Sequence, residues 1–189
     1  QEKEFKIELS DEQKEAIHLV NSDNVCIITG GPGTGKTTII KNMIELYQQK
    51  GMKVVLCAPT GRAAKRMTEQ TGVEAKTIHR LLEIGKLQEE SQLETVDYDV
   101  SPVNADVIII DEMSMVDIFI MNYIMKGIFL GTKVVFVGDS NQLPSVGPGS
   151  VLKDLIESEK IKTIQLNKIF RQAAQSDIIV TAPLCSRTY

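Results

Sequence analysis

The stretch Val25-Cys26-Ile27-Ile28-Thr29-Gly30-Gly31-Pro32-Gly33-Thr34-Gly35-Lys36-Thr37-Thr38 joins an apolar, β-branched run to a glycine-rich turn and then to a helix-forming segment. A turn of this kind holds a nucleoside triphosphate when backbone N–H groups converge on the β- and γ-phosphates. Side chains are then excluded where the chain wraps the phosphates, and Gly30, Gly33 and Gly35 are expected to supply positive φ without a Cβ clash. Lys36 is spaced to reach the outer phosphates and Thr37 to offer its hydroxyl to Mg²⁺. Gly31, Pro32, Thr34 and Thr38 complete the cradle, and the helix N-terminus adds roughly half a positive charge beneath it. A strand before and a helix after set the segment apart from an ordinary glycine-rich turn.

Working outward, apolar runs recur at Val25 to Thr29, Val54 to Ala58, Val107 to Asp111, Lys133 to Gly138 and Ile161 to Leu166. They are apolar on consecutive residues, as in strands buried on both faces, and helical patterns separate most of them. The pattern predicts an α/β domain: a parallel sheet of five or more strands with helices on both faces. Ile39, Ile40, Met43, Ile44 and Tyr47 share one helical face, and Gly51 is placed to end that helix. Thr60 is a candidate N-cap for a helix through about Thr71, with Gly72 just past it. Further helices are expected over Asp117 to Lys126, Ser150 to Ser158 and Ser176 to Ala182. The segment from about Gly85 to Val103 has no clear period and reads as an inserted loop or small hairpin.

Asp111 and Glu112 follow a buried strand and so face the crevice where α/β sheets bind ligands. Asp111 suits Mg²⁺, directly or through water, and Glu112 suits orienting and deprotonating the attacking water. Taken alone, such a pair can equally cap a helix. Gln142, in the polar turn after the fourth apolar run, projects at the same crevice, where a neutral amide senses the γ-phosphate or positions water; the turn can also be a plain connection. Arg171 stands alone after the fifth run, as a phosphate ligand or a surface ion-pair partner. Ser10 and Gln13 fit a capping box, and the Gln13 amide also suits the donor and acceptor edge of adenine.

At 189 residues the chain suits one domain able to bury around 70% of its unfolded surface. Cys26, Cys57 and Cys185 lack zinc-ligand spacing and read as reduced thiols of a soluble, cytoplasmic protein; no stretch has the length of a membrane span. A net charge of −4 argues against binding nucleic acid over the whole surface. Locally, Arg62, Lys65, Arg66, Lys76 and Arg80 outnumber Glu69 and Glu74, whereas Glu83 to Asp106 carries seven acids against Lys86. The basic stretch reads as a binding patch or as a solvated helix face.

In order, LSDEQKEAI from Leu9, GGPGTGKTT from Gly30, APTGRAAKRM from Ala58, TIHRLL from Thr77, DEMSMVD from Asp111, GDSNQLPSVGPGSVLKDL from Gly138 and IFRQ from Ile169 resemble the first motor domain of RecD-like superfamily 1 DNA helicases. The resemblance covers about Leu9 to Ala182. It implies a RecA-like domain over 1–182 with 84–105 as an insertion, ATP with Mg²⁺, and 5′ to 3′ translocation on single-stranded DNA. It also implies that Gln13 reads adenine, that Gln142 and Arg171 contact the γ-phosphate, and that Pro59, Thr60, Arg62, Thr77, His79 and Arg80 lie in segments lining the DNA. Physically, Arg62 and Arg80 can pair with phosphates and His79 can stack on a base, although a histidine within TIHRLL also suits packing.

Helicases of this group need a second RecA-like domain whose arginine completes the ATP site, worth roughly 10³ to 10⁵ in turnover. No such domain is read in these residues, and 183–189 fits neither the helical pattern nor the family. The expectation is a truncated motor half with slow hydrolysis at best. The competing readings are a module that binds nucleotide or single-stranded DNA without useful turnover, and a small-molecule kinase, against which the GDSNQLPSVGPG run speaks.

Overall fold

The computed structural model describes residues 9–84 and 100–168. The apolar runs become strands β1 (Val25–Gly30), β2 (Val54–Ala58), β4 (Val107–Ile110), β5 (Lys133–Gly138) and β6 (Lys162–Leu166), joined by a short β3 (Ala75–Thr77). All pair in parallel, in the order β3-β2-β4-β5-β1-β6. The strand β3 escapes sequence reading because Ala75-Lys76-Thr77 is short and partly polar. It forms where Leu56, Cys57 and Ala58 offer it a free sheet edge, so tertiary context overrides a weak local preference.

Helices α1 (Asp11–Ser22), α2 (Lys36–Gln49), α3 (Gly61–Thr71), α4 (Ile78–Leu81), α5 (Ile118–Gly127) and α6 (Val151–Glu157) cover the sheet. Successive strand residues point to opposite faces, and the two cores divide accordingly. Cys26, Ile28, Val107, Ile109, Val135 and Val137 pack with Val20 of α1, Ile39, Ile40, Met43, Ile44 and Tyr47 of α2, and Met67 of α3. Ile27, Ile108, Ile110, Val134 and Phe136 pack with Ile78 of α4, Ile124 of α5 and Leu152 of α6. Tyr47 is fully buried, its hydroxyl donating to the Val20 carbonyl and tying α2 to α1.

Element ends follow the expected chemistry. Thr60 caps α3 by accepting the Ala63 N–H at 3.2 Å, and Gly72 closes it at φ +75°. Gly51, at φ +71°, turns the chain out of α2, and Asp117 caps α5 through the Ile120 N–H at 2.8 Å. The expected Ser176 to Ala182 helix and most of the expected insertion lie outside the described residues. Among those residues, no helix is long and apolar enough to cross a membrane, and Cys26 and Cys57 are buried free thiols, each pushed up to about 12 by burial.

One expectation about the glycines is corrected. Gly33 (φ +77°) and Gly35 (φ +86°) are left-handed, but Gly30 is not. Gly30 ends β1, and its requirement is space: a Cβ there would sit 2.6 Å from Thr34 Oγ1, 2.9 Å from Leu166 Cβ and 3.0 Å from the Leu166 carbonyl oxygen. Gly30→Ala is therefore expected to lower stability by about 1–3 kcal/mol through overpacking, seen as a lower urea midpoint with an unchanged m-value. A midpoint equal to wild type would show that β6 yields freely at this point.

Candidate functional site

In a parallel sheet every carboxyl end lies along one edge, and here that edge receives each candidate segment. Register places Thr29 opposite Gly138, Gly30 opposite Leu166, Cys57 opposite Ile110 and Ala58 opposite Thr77. The loops after β1, β4 and β5 thus lie side by side, and those after β2 and β3 continue the row.

The phosphate loop is braced from within. Thr34 is buried, and its hydroxyl donates to the Gly31 carbonyl at 2.8 Å. The N-cap of α2 is Gly35, which brings no side-chain cap, and the first helical bond from the turn is Ile39 N–H to Gly35 carbonyl at 3.1 Å. The N–H groups of Lys36, Thr37 and Thr38 precede that bond and remain to meet an anion. Lys36 Nζ donates to the carbonyls of Gly30 at 2.5 Å and Gly31 at 3.0 Å, holding its charge over the loop. Thr37 Oγ1 donates to Gln70 Oε1 at 3.3 Å.

Asp111 is anchored at the end of β4 by its N–H, which donates to the Cys57 carbonyl at 3.0 Å. Its Oδ1 accepts the Glu112 N–H at 2.8 Å. Burial pushes the Asp111 carboxyl above the ordinary carboxylate value, and the negative Glu112 adds to that. The hydrogen bond from the Glu112 N–H, and the charges of Lys36 and Arg66, act in the opposite direction. Glu112 itself adopts φ +56°, ψ +40°, a left-handed conformation uncommon outside glycine, of the kind that clusters at functional sites. The chain turns there into a 3₁₀ turn, Met113–Met115, rather than into a capped α-helix.

That turn meets the loop after β5. Ser114 Oγ donates to Gln142 Oε1 at 3.1 Å, and the Gln142 N–H donates to the Asp139 carbonyl at 3.2 Å. Buried Asp139 accepts the Asn141 N–H through Oδ1 at 3.0 Å. Thr29 Oγ1 donates to Ser140 Oγ and accepts the Ser140 N–H, both at 3.2 Å, stitching β1 to β5 just before the phosphate loop. Ser114, Asp139, Ser140 and Gln142 border a cleft of about 240 Å³ that Lys153 also lines. Sequence reasoning missed Thr29, Gln70 and Ser114. The one signal for Thr29 is a hydroxyl at the end of an otherwise apolar strand.

Gln13 forms the capping box, its Oε1 accepting the Ser10 N–H at 3.0 Å, and it is buried. Glu12 Oε2 accepts the N–H groups of Asn167 and Lys168 at 2.9 and 3.2 Å, holding the start of α1 against the end of β6, the edge strand beside β1. Arg171 lies outside the described residues. Among the DNA candidates, Thr60 and Thr77 are helix N-caps, Thr77 accepting the Arg80 N–H at 3.1 Å. Arg62, His79 and Arg80 are exposed, and Pro59 is partly so. The histidine does not pack: Ile78 fills the core position of α4.

Among the described residues no cluster of three His, Cys, Asp or Glu side chains can cage a metal. A hydroxyl and a carboxylate at a phosphate loop instead fit Mg²⁺, which is held by few protein oxygens together with phosphate and water. When bound, Mg²⁺ neutralises developing phosphate charge.

A left-handed glycine loop at the end of β1, with acids at the end of the second strand over, defines a P-loop nucleotide site on a RecA-like sheet. The chain belongs to the AAA domain family, whose model matches residues 8–184, and is of the RecD-like superfamily 1 type. It is 39% identical to the ATP-dependent RecD2 DNA helicase of Deinococcus radiodurans over 92% of its own length and 23% of that protein's. Among solved structures, Pif1 from a Bacteroides species in complex with ADP-AlF4 matches with a TM-score of 0.60 and 27% identity, covering 88% of this chain and 43% of that one. Bacteroides Pif1 bound to single-stranded DNA matches with a TM-score of 0.57 and 26% identity, over 88% and 43%. The chain thus spans less than half the length of these relatives.

Because burial raises the Asp111 value, the ionised form costs stability in the folded state. That cost is absent at pH values below the ordinary carboxylate value, where folded and unfolded states both hold the proton. It grows as pH rises through the folded-state value. Asp111→Asn keeps the acceptor for the Glu112 N–H and removes the charge. It is expected to raise Tm at pH 7 in EDTA by about 2–4 °C, with the advantage vanishing in acid. A Tm at or below wild type at pH 7 would contradict this electrostatic account.

Proposed function

We propose that this domain binds Mg·ATP at the carboxyl edge of its sheet and hydrolyses it as one half of a DNA helicase motor moving 5′ to 3′ on single-stranded DNA. The observation that carries the reading is the shared edge. Loop 30–38, Asp111–Glu112 and Gln142 occupy one stretch of it, and Pro59, Thr60, Arg62, Thr77, His79 and Arg80 occupy the next. Phosphoryl transfer needs positioning and charge neutralisation rather than covalent help, and the site's chemistry divides accordingly. The N–H groups of loop 33–38 and Lys36 hold the phosphates, while Thr37 and Asp111 are the residues suited to Mg²⁺. Glu112, fixed by its left-handed backbone, orients and deprotonates water. Gln142, held by Ser114, faces the γ-phosphate from the β5 side, and Arg171, outside the described residues, is assigned to the same phosphate by the resemblance alone.

We assign Gln13 to adenine, its amide nitrogen serving as donor while its oxygen holds the capping box; the contact of α1 with the end of β6 supports this assignment. The RecD2 relative is an ATP-dependent DNA helicase, and the Pif1 structures hold ADP-AlF4 or single-stranded DNA, which supports this reading by similarity. From the resemblance to two-domain helicase motors we assign the completing arginine to a second RecA-like domain, and we expect hydrolysis by these 189 residues alone to be slow. Exposed Arg62 and Arg80 favour phosphate contacts, which position a strand without reading its sequence.

The test is steady-state ATP hydrolysis with Mg²⁺, with and without a short single-stranded DNA, for wild type, Lys36→Ala and Glu112→Gln of equal thermal stability. A low rate lost in both variants is expected, with nucleotide affinity reduced by Lys36→Ala and retained by Glu112→Gln. A rate indifferent to Glu112→Gln would remove the water-activating role and leave a binding module.

A further inference from the structure

Thr37 and Gln70 meet across two helices and 33 residues of sequence. Gln70 lies in the last turn of α3 and is partly buried, while Thr37 lies in the first turn of α2. We propose that Gln70 is a positioning residue for Mg·ATP, accepting the Thr37 proton so that the hydroxyl lone pairs face the cation. This rests on the nucleotide reading above and adds to it a residue outside the phosphate loop and the acidic strand end.

A threonine hydroxyl has one proton and two lone pairs. Mg²⁺ takes oxygen lone pairs, so a hydroxyl free to rotate presents its proton to the cation site for part of the time. An acceptor on the far side removes that option. The Gln70 carbonyl oxygen is such an acceptor, 3.3 Å from Thr37 Oγ1. Groups that orient a metal ligand in this way commonly contribute about tenfold or more to metal affinity.

The same helix carries Arg66, one turn earlier, whose charge acts on Asp111. One helix thus addresses both residues suited to Mg²⁺. It begins at Thr60 and Arg62, so α3 physically joins the candidate DNA edge to the cation side of the nucleotide site.

The 189-residue chain tests this through binding of a fluorescent ADP titrated with MgCl₂ or in EDTA, for wild type, Gln70→Leu and Gln70→Glu. Gln70→Leu removes the acceptor at nearly constant volume, and Gln70→Glu keeps one. The expected result is a Mg²⁺ requirement shifted about tenfold higher in Gln70→Leu, unchanged affinity in EDTA, and Gln70→Glu at or better than wild type. Three results would overturn the proposal: an unshifted Mg²⁺ requirement in Gln70→Leu, an equal loss with and without Mg²⁺, or a loss in Gln70→Glu matching that in Gln70→Leu. The second would mark Gln70 as packing for α3. Failure of wild type to bind the nucleotide at all would instead defeat the underlying nucleotide reading.

Discussion

Everything at the functional edge depends on the in-register parallel pairing of β1 with β5 on one side and β6 on the other. The pairing sets Thr29 beside Gly138 and Gly30 beside Leu166, so the phosphate loop leaves the sheet with neighbours pressed against it. There is no room for a Cβ at Gly30, and the Thr29 hydroxyl locks to the Ser140 backbone across the gap. A loop entered this tightly can hold its N–H groups in fixed directions, which is what anion binding at a helix N-terminus needs. A shift of register by one residue would turn every β1 side chain to the opposite face and take both cores with it.

The same edge concentrates opposite charges at close quarters. Lys36, Asp111, Glu112 and Arg66 share one electrostatic environment, in which the burial of Asp111 is the largest influence on its carboxyl. Burying a carboxylate costs free energy unless it is paired or bound to a cation. On the proposed Mg·ATP reading, the arrangement trades stability of the free domain for affinity toward a cation, and the left-handed Glu112 is a second concession of the same kind. Neither feature contributes to the hydrophobic cores, which would form equally well with a neutral turn after β4.

Much of this was legible in the residues because the signals were chemical. The run Val107-Ile108-Ile109-Ile110 has the β-branched, bounded pattern of a doubly buried strand, and Gly33, Gly35, Lys36 and Thr37 at their spacing read as a phosphate cradle. Caps at Ser10 and Thr60 were readable for the same reason. What was hidden depends on tertiary neighbours. Strand β3 exists because β2 offers it an edge, and the spatial meetings of Thr37 with Gln70 and of Ser114 with Gln142 have no trace in local pattern. The TIHRLL segment left His79 open between packing and binding, and the four-residue α4 decides it by burying Ile78 and leaving His79 exposed.

The proposed function stands or falls on nucleotide phosphate sitting on the N–H groups of loop 33–38. Amide hydrogen exchange of the chain with and without Mg·ADP tests it most directly. Strong added protection confined to peptides covering 30–40, with a smaller effect over 108–114, is the predicted result. Protection elsewhere on the sheet, with 30–40 unchanged, would contradict the assignment of the site.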